Sequence, residues 1–260
     1  MNEQIELKQL STLFKYVSDE SKVVEGIFRD HKIRFSQPAA LNDPLEFNPT
    51  IRFDLESDNL YKKFQYKGVV MPSIHYWYWL NLIEPRINKF GILSLTDNPY
   101  SFEMWCHYAN GHKGFLIEFN IPDKTKPTLQ LTEDTNLKLH KVRYVKDYMV
   151  NIDRLSQGRD TIPFHRIRDA MFIKKTKLWK YEREYRVVRE LADCDTYRPP
   201  AKRTSYRDKK VYLFPLSLSC IANVIFGVNT SQKIKRKVIE YCRNTDINFV
   251  QTVISKDLQN

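Results

Sequence analysis

Residues 179–188 read WKYEREYRVV, and the fold turns on how this stretch is taken. Aromatics, arginines and valines interleaved with charge predict a β-strand. Successive side chains on a strand point to opposite faces, so Glu182, Glu184 and Arg186 share one side, with Tyr181, Arg183, Tyr185 and Val187 on the other. Two neighbouring carboxylates raise each other's pKa. The stretch is therefore either the wet face of a half-exposed sheet, its glutamates in weak pairs with Arg183 and Arg186, or it is a site.

Working outward, the segments before it alternate strand and helix signals. LFKYVS reads as a strand, and in SDESKVVEGIFRD Ser18 is placed to cap a helix whose apolar face is Val23, Val24, Ile27 and Phe28. HKIRFS reads as a strand. The prolines and polar residues of QPAALNDPLEF then forbid regular structure, and Asn42 and Asp43 either line a site or close a turn. Residues 57–90 read as helical and aromatic, with Trp77 and Trp79 as core or as a stacking wall. GILSLT is a strand; DNPYSFEMWCHYANG is a helix capped by Asn98, with Pro99 at its first position and Gly111 ending it; KGFLIEFN is a strand.

Residues 137–146 alternate as a strand, and a basic helix is expected within 160–178, running into the opening stretch. VYLFPL and IANVIFG are strands, SQKIKRKVIEYC a helix and INFVQTVI a final strand. Many strands with interspersed helices and no glycine-rich phosphate loop predict an α+β fold, with mixed, mostly antiparallel sheets and helices packed around them. No linker divides the chain, so residues 1–260 are read as one domain, with a polar, basic loop at about 190–210.

The net charge of +11 is unevenly spread: residues 1–120 carry 13 basic against 15 acidic side chains, residues 121–210 carry 23 against 13, and residues 211–260 carry 6 against 3. A cationic middle third attracts polyanions, most commonly nucleic acid, although an acidic protein or a dinucleotide feels the same field. No apolar run is long enough for a membrane helix and the N-terminus lacks a signal-peptide layout, which predicts a cytoplasmic protein with no membrane partner. Cys106, Cys194, Cys220 and Cys242 form no C-x-x-C pair and read as free thiols, while His107 and His112 are spaced as no common zinc site, so no metal is expected.

The stretches FSQPAALNDPLEF, LSLT, MWCHYANGHKGFLIEF, KLWKYEREYRVV and NVIFG together resemble a bacterial domain-of-unknown-function family, from about Leu13 to Gly227. Their order is also similar to that of the ADP-ribosyltransferases, which move ADP-ribose from NAD onto protein or nucleic acid. That resemblance implies NAD as substrate, held by Lys15 and Tyr16 on the first strand and by Ser94 and Thr96 on the second. Trp105 or Tyr108 would then stack on nicotinamide, Glu184 would be the later glutamate, and Glu182 would orient or deprotonate the incoming nucleophile. Lysine at 15 departs from the arginine or histidine of that family, since it offers a point charge in place of a bidentate fork.

The chemistry suits these residue types, because breaking the nicotinamide–ribose bond develops positive charge on the sugar that an ionised glutamate stabilises in the transition state. The expectation is an NAD-dependent ADP-ribosyltransferase acting on RNA or DNA, a bacterial toxin or anti-phage effector with an antitoxin or regulatory protein as a second partner. One rival is a non-catalytic nucleic-acid-binding module, in which the glutamates only balance charge. The other is a metal-dependent nuclease built on Glu118, Glu182 and Glu184.

Overall fold

The structure is a computed structural model, and it describes residues 11–43, 46–47, 50–52, 65–66, 69–70, 84–121, 127–151, 163–194, 196–198 and 211–253. The elements that build the site are β1 (Thr12–Val17), α1 (Ser21–Phe28), β2 (Lys32–Phe35), β3 (Phe90–Thr96), α2 (Phe102–Tyr108), β4 (Phe115–Asn120), β5 (His140–Lys141), β6 (Lys174–Thr176), β7 (Glu184–Glu190), β8 (Val211–Pro215), β9 (Ile221–Phe226), α3 (Gln232–Tyr241) and β10 (Asn248–Gln251). A seven-stranded sheet runs in the order β5-β7-β3-β1-β4-β9-β10. Every pairing in it is antiparallel except β9 with β10. This mostly antiparallel sheet with helices against it is the α+β architecture that the pattern of strands and helices predicts.

The sheet buries both faces. Leu13 and Val17 of β1, Leu93 and Leu95 of β3, and Tyr185 and Val187 of β7 point to one side, where they meet Val24, Ile27 and Phe28 of α1, Ile33 and Phe35 of β2 and Phe214 of β8. Phe14, Tyr16 and Leu116 point to the other side, under Met104 and Trp105 of α2. β2 pairs with β8 in a separate small sheet, which is tied to the large one by a bridge between Ser36 and Ile92.

The main sheet is split. β3 pairs with β7 along its whole length, from Phe90 against Glu190 to Thr96 against Glu184, and β1 pairs with β4 over six residues. Between β1 and β3, however, Phe14 and Thr96 are the one register pair among the described residues. Strands that part after a single pair leave backbone and side chains of both facing a gap.

Several local expectations give way to tertiary demands. Helix α1 starts at Ser21 with Glu20 at its cap and no side-chain capping bond, so Ser18 is not the cap. Helix α2 starts at Phe102, where Ser101 Oγ accepts the Met104 N–H at 3.2 Å; Asn98 instead accepts from Tyr100 N–H at 3.1 Å in the turn before it. Gly111 does follow that helix in a left-handed conformation, at φ 62°. The expected basic helix at 160–178 is, within the described residues, one turn at 164–167, a π turn at 168–172 and then β6. Of 57–90, residues 65–66 and 69–70 pair as short strands and 84–87 form a helical turn; Trp77 and Trp79 lie outside the described residues. The expected basic loop begins with a 3-10 turn at 191–193 and a strand at 196–198, and its remainder is also outside them.

Two glycines test this packing in opposite ways. A Cβ on Gly114 would sit 2.0 Å from the Val17 carbonyl oxygen, whereas one on Gly26 in α1 would meet nothing within 4 Å. Gly114→Ala is expected to lose roughly 1–3 kcal/mol through overpacking. Gly26→Ala is expected to gain up to about 1 kcal/mol through helix propensity. Thermal unfolding of the two variants checks the pair of signs.

Candidate active site

A cavity of about 240 Å³ opens where β1 and β3 part. Its wall takes Lys15 and Tyr16 from β1, Ser94 and Thr96 from β3, Tyr108 from α2, Glu182 from the turn before β7, and Glu184 from β7 itself. Residues as far as 169 positions apart in sequence, Lys15 and Glu184, are thus brought to one place. Trp105 is the expected residue that does not arrive. It packs edge-on to Tyr16 at 5.3 Å and flat against His112 at 5.6 Å, and its indole N–H donates to the Pro99 carbonyl at 3.0 Å. Tyr108 is the aromatic of that helix on the cavity wall.

Glu182 and Glu184 are 3% and 4% exposed, so they do not form the wet face of a sheet. Nor do they share a face through simple strand alternation. Residues 177–182 form a 3-10 turn that ends on Arg183 in the left-handed region (φ 44°, ψ 49°), and the strand begins only at Glu184. A non-glycine residue there is uncommon and clusters at functional sites. Arg183 is held by a 2.5 Å ion pair to Asp97, and its turn sets both glutamates against buried cations.

Those cations are Lys175 and Arg186. Arg186 is fully buried and grips Glu184 with both arms of its guanidinium, Nε to Oε1 and Nη2 to Oε2, each at 2.7 Å. Its Nη1 donates to the Phe172 carbonyl at 2.8 Å, and Nη2 also donates to Glu46. Lys175 Nζ lies 2.5 Å from Glu182, 3.3 Å from Glu184 and 3.7 Å from Glu46, and 4.8 Å above the Trp179 ring. Tyr108 donates its hydroxyl to the second oxygen of Glu182 at 2.5 Å, and the Glu184 backbone N–H donates to the Tyr144 hydroxyl at 2.8 Å.

This network drives the two carboxylates apart. Burial raises Glu184, but Arg186 and then Lys175 outweigh it, with Ser94 donating as well, and the carboxyl is held down at about 2. Glu182 goes the other way: burial and the charge of Glu184 raise it, and Lys175 and Tyr108 only partly offset them. One carboxylate is thereby kept ionised while its neighbour binds a proton more readily than usual, a division that marks acid–base assignments. Tyr108 is pushed up by burial and by Glu182 and remains a donor.

Glu46, Lys175 and Arg34 also line the cavity, and the sequence reading assigned none of them a role. Glu46 is delivered by the NDP segment, where its N–H bonds the Asp43 carbonyl at 3.1 Å, so Asp43 closes the turn while Asn42 lines the cavity. The expectation of a helix hid Lys175 among surface lysines; its signal was an apolar run, Ala170–Ile173, just before it. Among the described residues no group of three His, Cys, Asp or Glu is placed to hold a metal ion. Glu118 is engaged elsewhere, accepting from Asn223 at 2.7 Å, and does not join the glutamate pair.

Comparison with known proteins reaches the C-terminal half of this site. Residues 104–187 match the family described as protein of unknown function (DUF2971). The match contains Tyr108, Lys175, Glu182, Glu184 and Arg186; it does not extend to β1 or β3, as the motif resemblance from Leu13 to Gly227 led one to expect. No curated protein and no solved structure matches the chain. Among the described residues no helix is long and apolar enough to cross a membrane.

The Glu184 ion pair makes a pH prediction. Its folded pKa lies below the unfolded value of about 4.3, so its stabilisation is complete above that value and is lost as the pH falls towards 2. A shift of this size corresponds to about 3 kcal/mol. Denaturant unfolding is expected to show wild type losing stability steeply below pH 4, with Glu184→Gln weaker at pH 7 by roughly 3–5 kcal/mol and flatter across the acid range.

Proposed function

We propose that the chain is an NAD-dependent ADP-ribosyltransferase. The observation that carries this reading is the meeting of Lys15, Ser94, Tyr108, Glu182 and Glu184 in one cavity at the split between β1 and β3. Cleavage of the nicotinamide–ribose bond sends the bonding pair out with nicotinamide and leaves positive charge on the sugar. A carboxylate kept ionised, as Arg186 and Lys175 keep Glu184, stabilises that charge as it develops. The incoming nucleophile must lose a proton, and Glu182, with its raised pKa, is the group suited to take it. Tyr108 both orients Glu182 and offers a ring to the nicotinamide.

The acceptor we favour is RNA or DNA, because 23 of the chain's 42 Lys and Arg lie in residues 121–210. Such an activity suits a toxin or an anti-phage effector restrained by an antitoxin or regulatory protein. A non-catalytic binding module gives no reason to bury three carboxylates and two cations beside a cavity. A nuclease needs converging carboxylates around a metal, and here Lys175 and Arg186 stand between them.

Incubation of the purified protein with NAD and a mixture of RNA, DNA and protein tests the proposal. Nicotinamide release and label transfer are expected, insensitive to EDTA. Glu184→Gln, measured on material shown to be folded by circular dichroism, should lower both by roughly 10²-fold or more. Glu182→Gln should impair transfer more than nicotinamide release. Absence of release with every acceptor, or a Glu184→Gln variant equal to wild type, sinks the reading.

A further inference from the structure

A second groove, of about 480 Å³, adjoins the cavity and shares Lys15, Arg34 and Tyr108 with it. Its apolar part is formed by Val23 and Ile27 of α1, Ile33 of β2 and Leu213 of β8. Gly26 also lines it, from the interior of an eight-residue helix. Glycine is there the least favourable residue other than proline. Neither backbone nor packing asks for it: an added Cβ would meet no atom within 4 Å. A side chain at this position would project into the open space of the groove.

The shared wall is cationic. Among the described residues the side chains of Lys15 and Arg34 make no ion pair, although Glu20 also lines the groove and exerts a favourable field on Arg34. The two cations feel each other: burial and then the charge of Arg34 hold Lys15 down at about 8. Glu184 acts on Lys15 as Glu20 does on Arg34, but neither carboxylate closes an ion pair, and two such cations side by side are neutralised best by a ligand with more than one negative charge. Arg34 also supplies the planar fork that lysine at position 15 lacks, while Lys15 acts as a point charge.

We infer that the outer groove binds a nucleoside diphosphate, its phosphates between Lys15 and Arg34 and its base against the apolar wall beside Gly26. This deepens the transferase reading, since a dinucleotide would place one half in each compartment, but a mononucleotide satisfies the groove by itself.

Isothermal titration with ADP, adenosine, inorganic pyrophosphate and NAD, on wild type, Arg34→Ala and Gly26→Leu, tests the inference. Melting midpoints near wild type are expected for both variants, because Arg34 is exposed and a side chain at 26 enters open space. ADP should bind and adenosine should bind far more weakly. Arg34→Ala should weaken both ADP and pyrophosphate about tenfold or more. Gly26→Leu should weaken ADP by a similar factor and leave pyrophosphate unchanged. No ADP binding at millimolar concentration, or ADP binding indifferent to both substitutions, overturns the inference. ADP binding with these dependences, and no nicotinamide release from NAD, leaves it standing and removes the transferase reading; NAD cleavage unaffected by either variant does the reverse.

Discussion

The bidentate pair between Arg186 and Glu184 is the interaction on which the rest of the site depends. Taking a guanidinium and a carboxylate out of water costs several kcal/mol per ion, and the mutual attraction offsets this only where the remaining hydrogen-bonding capacity is filled. Here it is filled: Phe172 supplies a carbonyl, Glu46 a second carboxylate, and Lys175 a second cation. Hydrophobic residues would hold β7 against β3 at less cost, so a network of this kind is weak evidence for stability alone. Its placement on a cavity wall gives it a purpose, which is to hold one carboxylate ionised and in fixed orientation beside another that binds a proton more readily.

The geometry of the sheet makes room for that network. If β1 and β3 paired along their length, Lys15 would be a strand residue over a closed sheet and Ser94 would face a neighbouring side chain. Because they pair once, at Phe14 and Thr96, residues from β1, β3 and β7 look into a common space. Lys15 and Arg34 then line both the inner cavity and the outer groove, next to the carboxylates of the one and the apolar wall of the other.

Much of this was legible in the sequence. The apolar alternation of LFKYVS and GILSLT placed β1 and β3, and EYRVV placed β7 with Glu184 and Arg186 on one face. What was not legible arose from tertiary choices. The 3-10 turn at 177–182 reads locally as strand because its aromatics and charges alternate; only the left-handed Arg183, pinned by Asp97, reveals the change of direction. The helix expected at 160–178 is broken because Lys175 is required in a strand, facing three carboxylates rather than water. Trp105 was one of two aromatics, with Tyr108, that the resemblance offered for stacking, yet its indole is used inside the fold against Tyr16 and His112. Arg34 has no local signal at all, since its partner in charge, Lys15, lies nineteen positions away on another strand.

Burial and the charge of Glu184 push Glu182 up while Arg186 and Lys175 hold Glu184 down, so the two carboxyls titrate apart. Carbon-13 NMR titration of glutamate side-chain carboxyls, assigned with Glu182→Gln and Glu184→Gln, measures this directly. Expected are a Glu184 signal that stays ionised down to about pH 2 and a Glu182 signal that titrates above the ordinary glutamate range. Two carboxyls titrating together near the ordinary glutamate value of about 4.3 would contradict this.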